Sequence, residues 1–179
     1  MSEALTLTPA LPDPPLRAPD GGVTLAALPH GRLIHALARA GAETEPLQPL
    51  LAALSDGSPH AVRPYAPGQW FVLGSEPLRP GEWARLTAEA GPALALSDQS
   101  HGRVRLSLEG RRARPVLARG TGVDLDESVF TSGRSAATLF GHIGIHLTCL
   151  APERFELIVL RGFAESLWHE LAQAAQTTV

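Results

Sequence analysis

The sequence predicts an α+β fold of two related βαβ-like units. Each is a strand, a helix, a further strand or strands and a second helix, and together they make antiparallel or mixed sheets covered by helices. Two observations carry this expectation. First, the apolar pattern alternates along the chain between the two-residue period of strands and the 3.6-residue period of helices, with Gly and Pro between the switches. Second, landmarks of the first half return in the same order in the second. HGRLIHAL at His30 returns as HGRVRLSL at His101, a shift of 71 residues. QWFVLG at Gln69 returns as RFELIVL at Arg154, and GEWARLTAEAG returns as ESLWHELAQAA, with Trp83 and Trp168 now 85 residues apart. Such a period is longer than that of ordinary solenoid repeats, so it marks a duplicated unit rather than an array.

Taken in order, residues 1–21 come first as a proline-rich extended arm. Five prolines fall between Pro9 and Pro19, and the missing N–H groups and fixed φ disfavour regular structure there. The first unit spans 22–92. Val23–Leu28 and Arg32–Ala38 read as strands, and Glu45–Ser55 reads as a helix from the spacing of Leu47, Leu50, Leu51 and Leu54. Gln69–Gly74 is a short buried strand, after which Pro80 can open a helix and Gly91 can stop it.

The second unit spans 93–179. ALALS (Ala93–Ser97) and GRVRLSL (Gly102–Leu108) read as strands joined by a turn, ARPVLARG as the counterpart of the first helix, and Arg154–Leu160 as a strand. The difference between the two shifts places an insertion of 14 residues within Val123–Leu150. In the last helix, Phe163, Leu167, Trp168 and Leu171 form an apolar stripe with Glu165, His169 and Glu170 off it, so Trp168 is expected in the core.

Composition excludes several functions. A chain of 179 residues that is 44% hydrophobic can bury a substantial core. The net charge is −3 and the longest basic run is Arg111-Arg112, which leaves no electrostatic footprint for nucleic acid. All fifteen basic residues are arginine, so neither Schiff-base catalysis nor a P-loop lysine is available. Cys149 is the sole cysteine, which precludes an intrachain disulfide and fits a reducing, cytoplasmic setting. No secretory leader or membrane-length apolar run is evident.

Three clusters resemble sites. Ser97, Asp98, Ser100 and His101 hold the residue types of a hydrolytic triad, but triads converge from separate elements. Four residues crowded between two strands read better as turn formers. In GHIGIHLTC, a strand would put His142 and His146 on one face with Gly144 and Thr148, and Cys149 on the other with Ile143, Ile145 and Leu147. The thiol then points away from both imidazoles, and a polar-out, apolar-in strand accounts for the pattern. Asp124, Asp126 and Glu127 lack the glycine and the distal glutamate of a calcium loop, which leaves a cap or turn. No catalytic, cofactor-binding or metal-binding residue is expected in this chain.

Four features recur in order: the D-x-S-H turn (Asp98, Ser100, His101), the strand ending at Gly110, VDLDESVF and RGFAESLWHEL. With these, the sequence from Gln69 to Ala175 resembles the gamma subunit of heterotetrameric sarcosine oxidase. The turn, strand and glycine are also similar to folate-binding aminomethyltransferases, and that kinship implies paired βαβ-like units. Arg119, Gly120 and Thr121 stand where related iron–sulfur assembly factors carry lysine, glycine and cysteine. The resemblance implies a non-catalytic subunit working with alpha, beta and delta partners, which would hold FAD, covalent FMN, NAD and tetrahydrofolate. The complex would oxidatively demethylate sarcosine to glycine, forming hydrogen peroxide and methylenetetrahydrofolate. The alternative is a stand-alone folate-binding or aminomethyl-transfer module with Asp98 or Asp124 as its pteridine carboxylate.

Overall fold

The computed structural model describes residues 9–11, 14–40 and 47–177. Its strands are β1 (Leu16–Arg17), β2 (Thr24–Ala27), β3 (Arg32–Ala38), β4 (Val62–Ala66), β5 (Gln69–Gly74), β6 (Leu94–Asp98), β7 (Arg103–Glu109), β8 (Ser135–Phe140), β9 (Ile143–Ala151) and β10 (Arg154–Leu160). Its helices are α1 (Leu47–Leu54), α2 (Glu82–Ala90), α3 (Ala113–Ala118) and α4 (Ala164–Thr177). The first two residues of the expected Glu45–Ser55 helix lie outside the described residues.

Every strand pairing is antiparallel. One sheet has the order β1-β2-β7-β10-β9-β8 and the other β4-β5-β3-β6. Each half of the sequence therefore lends a strand to the other's sheet. β2 does not pair with its neighbour β3 but with β7, and β6 does not pair with β7 but with β3. The repeat explains this exchange: β2–β3 and β6–β7 are corresponding pairs, and the His30 and His101 turns cross between the sheets at corresponding points.

Alternation along each strand builds four layers. On β3, Ile34 and Ala36 point outward into a core closed by Leu47, Leu51 and Leu54 of α1 and Leu86 of α2. On β10, Phe155, Leu157 and Val159 point outward into a second core closed by Val116 and Leu117 of α3 and Leu167, Trp168 and Leu171 of α4. The opposite faces of the two sheets meet at Leu33, Phe71, Leu73 and Ile158. Helices thus cover the outside, and sheet meets sheet inside.

Several local expectations change. Leu16 and Arg17 of the arm pair with Leu25 and Thr24, because the short run between Pro15 and Pro19 retains its backbone donors. Pro80 precedes α2, and Gly81 takes the N-cap at φ 82 before the helix starts at Glu82. Gly91, at φ 56, ends it by donating its N–H to Thr87 O. The insertion supplies β8, the additional outer strand of the six-stranded sheet. Phe163 is not part of the buried stripe. It sits in a single 3-10 turn before α4 and is 53% exposed, while Ala164 occupies the buried position beside it. Trp168 is in the core.

Candidate functional site

The Asp98–His101 turn organises the crossing between the sheets. Asp98 Oδ1 accepts the Ser100 N–H at 2.9 Å and its hydroxyl at 2.5 Å, a side-chain turn that fixes the loop. Ser100 Oγ in turn accepts the Leu33 N–H at 3.0 Å, tying the turn to β3 across 67 residues. Ser97 Oγ accepts from Gln99 Nε2 at 2.9 Å. His101 engages not the serine but His30, with Nδ1 3.1 Å from His30 Nε2 and ring centroids 4.8 Å apart. His30 Nδ1 donates to its own neighbour's carbonyl, Gly31 O, so its Nε2 is the acceptor and His101 Nδ1–H the donor. The residues of the apparent triad are therefore distributed between a turn and a crossing, with no serine–histidine hydrogen bond.

The GHIGIHLTC strand differs from its polar-out reading. His142 lies in the turn before β9, whereas His146 is 1% exposed and Thr148 is wholly buried. That face is covered by the four-stranded sheet, whose packing single-strand periodicity does not reveal. His146 Nε2–H donates to Pro64 O at 2.8 Å and its Nδ1 has no partner. Burial lowers the His146 pKa to about 4, with Arg63 and Arg103 acting in the same direction. Cys149 points the other way, into the helix-covered core, as the alternation predicts. Burial raises its pKa.

Asp124, Asp126 and Glu127 form turns. Asp124 Oδ1 accepts the Asp126 N–H, Asp126 Oδ1 accepts the N–H and hydroxyl of Ser128, and Glu127 pairs with Arg114 at 3.7 Å. Arg114 also donates to Leu125 O, anchoring this loop on α3. Among the described residues, no group of three His, Cys, Asp or Glu side chains is placed to hold a metal.

Sequence reasoning missed an ionic cluster in the layer between the sheets. Glu156 of β10, 1% exposed, accepts from Arg63 Nη2 of β4 at 2.9 Å and from Arg105 of β7 at 2.6 and 3.1 Å. Burial alone would raise its pKa, but Arg105 and Arg63 hold it below the usual carboxylate range. The signal was present: RFELIVL carries one acid in an apolar strand, facing a basic residue in GRVRLSL.

A cleft with a volume of about 420 Å³ lies beside the crossing. Leu28, Pro29, Val104 and arm residues Pro9 and Leu11 give it apolar walls, and His30, Arg103, Arg105 and Arg161 also line it. Among the described residues, neither Asp98 nor Asp124 lines it.

Residues 41–177 match the model of the family described as "Sarcosine oxidase, gamma subunit family". A heterotetrameric sarcosine oxidase from Corynebacterium sp. U-96, solved in complex with pyrrole 2-carboxylate, superposes with a TM-score of 0.71 at 24% identity, covering 86% of this chain and 83% of the matched chain. The glycine cleavage system aminomethyltransferase T from Bartonella henselae gives a TM-score of 0.59 at 17% identity, covering 87% of this chain and 46% of that one. No curated protein matches the sequence. The two structural likenesses show a common fold.

Proposed function

Because this chain belongs to the sarcosine oxidase gamma subunit family, we propose that it works within a heterotetrameric sarcosine oxidase, beside alpha, beta and delta subunits in the cytoplasm. In this reading the complex oxidises the N-methyl group of sarcosine and passes two electrons to oxygen. Its products are glycine, hydrogen peroxide and methylenetetrahydrofolate. FAD, FMN, NAD and tetrahydrofolate belong to the partner subunits, and this chain contributes assembly rather than a catalytic side chain.

The family match over most of the chain is the observation that carries the reading. The geometry adds support. Asp98 and Asp124, the carboxylates nominated for a pteridine-binding module, each stabilise a local turn, and neither lines the cleft beside the crossing. Among the described residues no helix is long and apolar enough to cross a membrane.

Native mass spectrometry after co-expression with the neighbouring genes tests the assignment. The expected result is a four-subunit flavoprotein containing one copy of this chain. Recovery of the chain only as a monomer, with folded flavoprotein subunits in the same sample, would overturn it. Tetrahydrofolate binding by the isolated chain in calorimetry would instead favour the stand-alone module.

A further inference from the structure

The outer strands of the two sheets are not protected alike. A sheet edge presents backbone N–H and C=O groups to any passing strand, and proteins blunt it with proline, bulges, very short strands or covering loops. β1 is two residues long and lies between Pro15 and Pro19. β4 contains Pro64 with a bulge beside it. β8 has the Gly120–Thr121 loop against it, with Thr121 Oγ1 3.2 Å from Thr138 Oγ1 and Gly120 O accepting the Gly141 N–H at 2.8 Å. β6, the outer strand Leu94-Ala95-Leu96-Ser97-Asp98, has no proline and no bulge, and its single charge is at its end.

The β3–β6 ladder shows which groups of β6 are open. Gln99 N–H donates to Leu33 O at one end of the pairing and Arg39 N–H to Ala93 O at the other. Bonded and non-bonded pairs alternate in an antiparallel ladder. Ala95 and Ser97 therefore bond to Leu37 and His35, whereas the N–H and C=O of Leu94, Leu96 and Asp98 point away from β3. Among the described residues, no strand pairs with β6 on that side.

The repeat indicates what belongs there. β2 and β6 are corresponding strands, paired with β7 and β3. Outside β2 lies β1, because the arm that precedes β2 turns back along it. Between α2 and β6 there is only Gly91-Pro92-Ala93, too short for such a return. We propose that the place beside β6 that corresponds to β1 is taken by an extended segment of a partner subunit, which adds a strand to the four-stranded sheet. The segment bonds to the backbone of Leu94, Leu96 and Asp98. It carries apolar side chains on the face it shares with Leu94 and Leu96, against the core that α1 and α2 close. This inference rests on the subunit reading given above.

Amide hydrogen exchange at residue resolution, on the full chain alone and on the co-expressed complex, tests it. In the chain alone, Ala95 and Ser97 should exchange slowly and Leu94, Leu96 and Asp98 fast. In the complex the last three should slow by at least about a hundredfold, as bonded strand amides do. Leu96→Pro deletes an outward N–H without touching the ladder to β3. It should lower recovery of this chain in the complex by about tenfold, the loss of one ladder bond. If that variant fails to fold, the exchange pattern decides. A complex that assembles with the three amides still fast, or that takes up folded Leu96→Pro as readily as wild type, would overturn the proposal and leave the subunit reading intact. Recovery of the chain only as a monomer beside folded flavoprotein subunits would overturn both. Slow exchange of the three amides already in the monomer, or only in a homodimer seen by native mass spectrometry, would assign the edge to this chain itself and refute a partner's strand.

Discussion

Replacing Glu156 by Gln keeps the shape of the side chain and removes its charge. Arg63, with only 4% of its side chain exposed, and Arg105, at 19%, then face each other without a counter-ion. Arg63 Nη1 already lacks a partner, so rearrangement offers it little relief. Removing one member of a buried ionic cluster costs about 3–5 kcal/mol, a large share of the about 5–15 kcal/mol that holds a domain folded. With a urea m-value of about 2 kcal/mol/M, the midpoint should fall by about 2 M. Tryptophan fluorescence suits the assay, because Trp70 and Trp83 report on the four-stranded sheet and its helices, and Trp168 on the other core. The triple variant Arg63→Met, Arg105→Met, Glu156→Leu removes all three charges and should recover most of the loss, since an apolar replacement of a buried ion cluster is often neutral or stabilising. A loss below about 1 kcal/mol in Glu156→Gln, or a triple variant no more stable than that single one, would refute the reasoning.

Other perturbations separate the crossing from its surroundings. Ser100→Ala leaves the buried Leu33 N–H without its acceptor and should cost about 1–3 kcal/mol in the same denaturation assay. Gly31 and Gly102 follow corresponding histidines but differ in space. A Cβ on Gly31 would strike the Gly74 carbonyl oxygen, whereas on Gly102 nothing lies closer than 3.7 Å. Gly31→Ala should therefore lower the melting temperature markedly, and Gly102→Ala should leave it near wild type. His146 stays neutral in the fold down to about pH 4, while unfolded it protonates near 6.5. The unfolded state thus binds more protons in that window, and stability, full above the unfolded value, falls as pH drops through it. The loss amounts to about 3 kcal/mol by pH 4. His146→Gln, which keeps a donor for Pro64 O, should lose less stability between pH 7 and 4 than wild type. Equal pH slopes for the two proteins would count against the assignment.

The strands legible in the sequence are those with one dominant pattern. Arg32–Ala38, Gln69–Gly74 and Arg154–Leu160 begin and end where apolar runs meet Gly, Arg or Pro. VRPYA gave no comparable signal, because Pro64 interrupts it and is tolerated only on the sheet edge that β4 occupies. Burial on the inner face was hidden for a different reason. Whether His146 meets water or a second sheet depends on a contact 82 residues away, at Pro64, and periodicity within one strand reports only which residues share a face. Phe163 failed through phase: a single 3-10 turn before α4 rotates it out of the stripe that Leu167, Trp168 and Leu171 define. At the crossing, the shared HGR spacing identified two corresponding turns, and the contact between His30 and His101 is what that correspondence becomes in three dimensions.

The exchanged strands govern the order in which this chain can acquire its structure. During synthesis β3, α1, β4 and β5 emerge together, yet their sheet lacks its last strand until β6 follows α2, and β2 waits longer still for β7. Neither half can close its hydrogen-bond ladder from its own residues, so a nascent first half exposes an open sheet edge. Pairings this distant in sequence raise the contact order and slow the folding reaction. Cutting the chain between residues 92 and 93 separates β6 from β3 and β2 from β7, leaving two fragments that can complete their sheets only by reassociating.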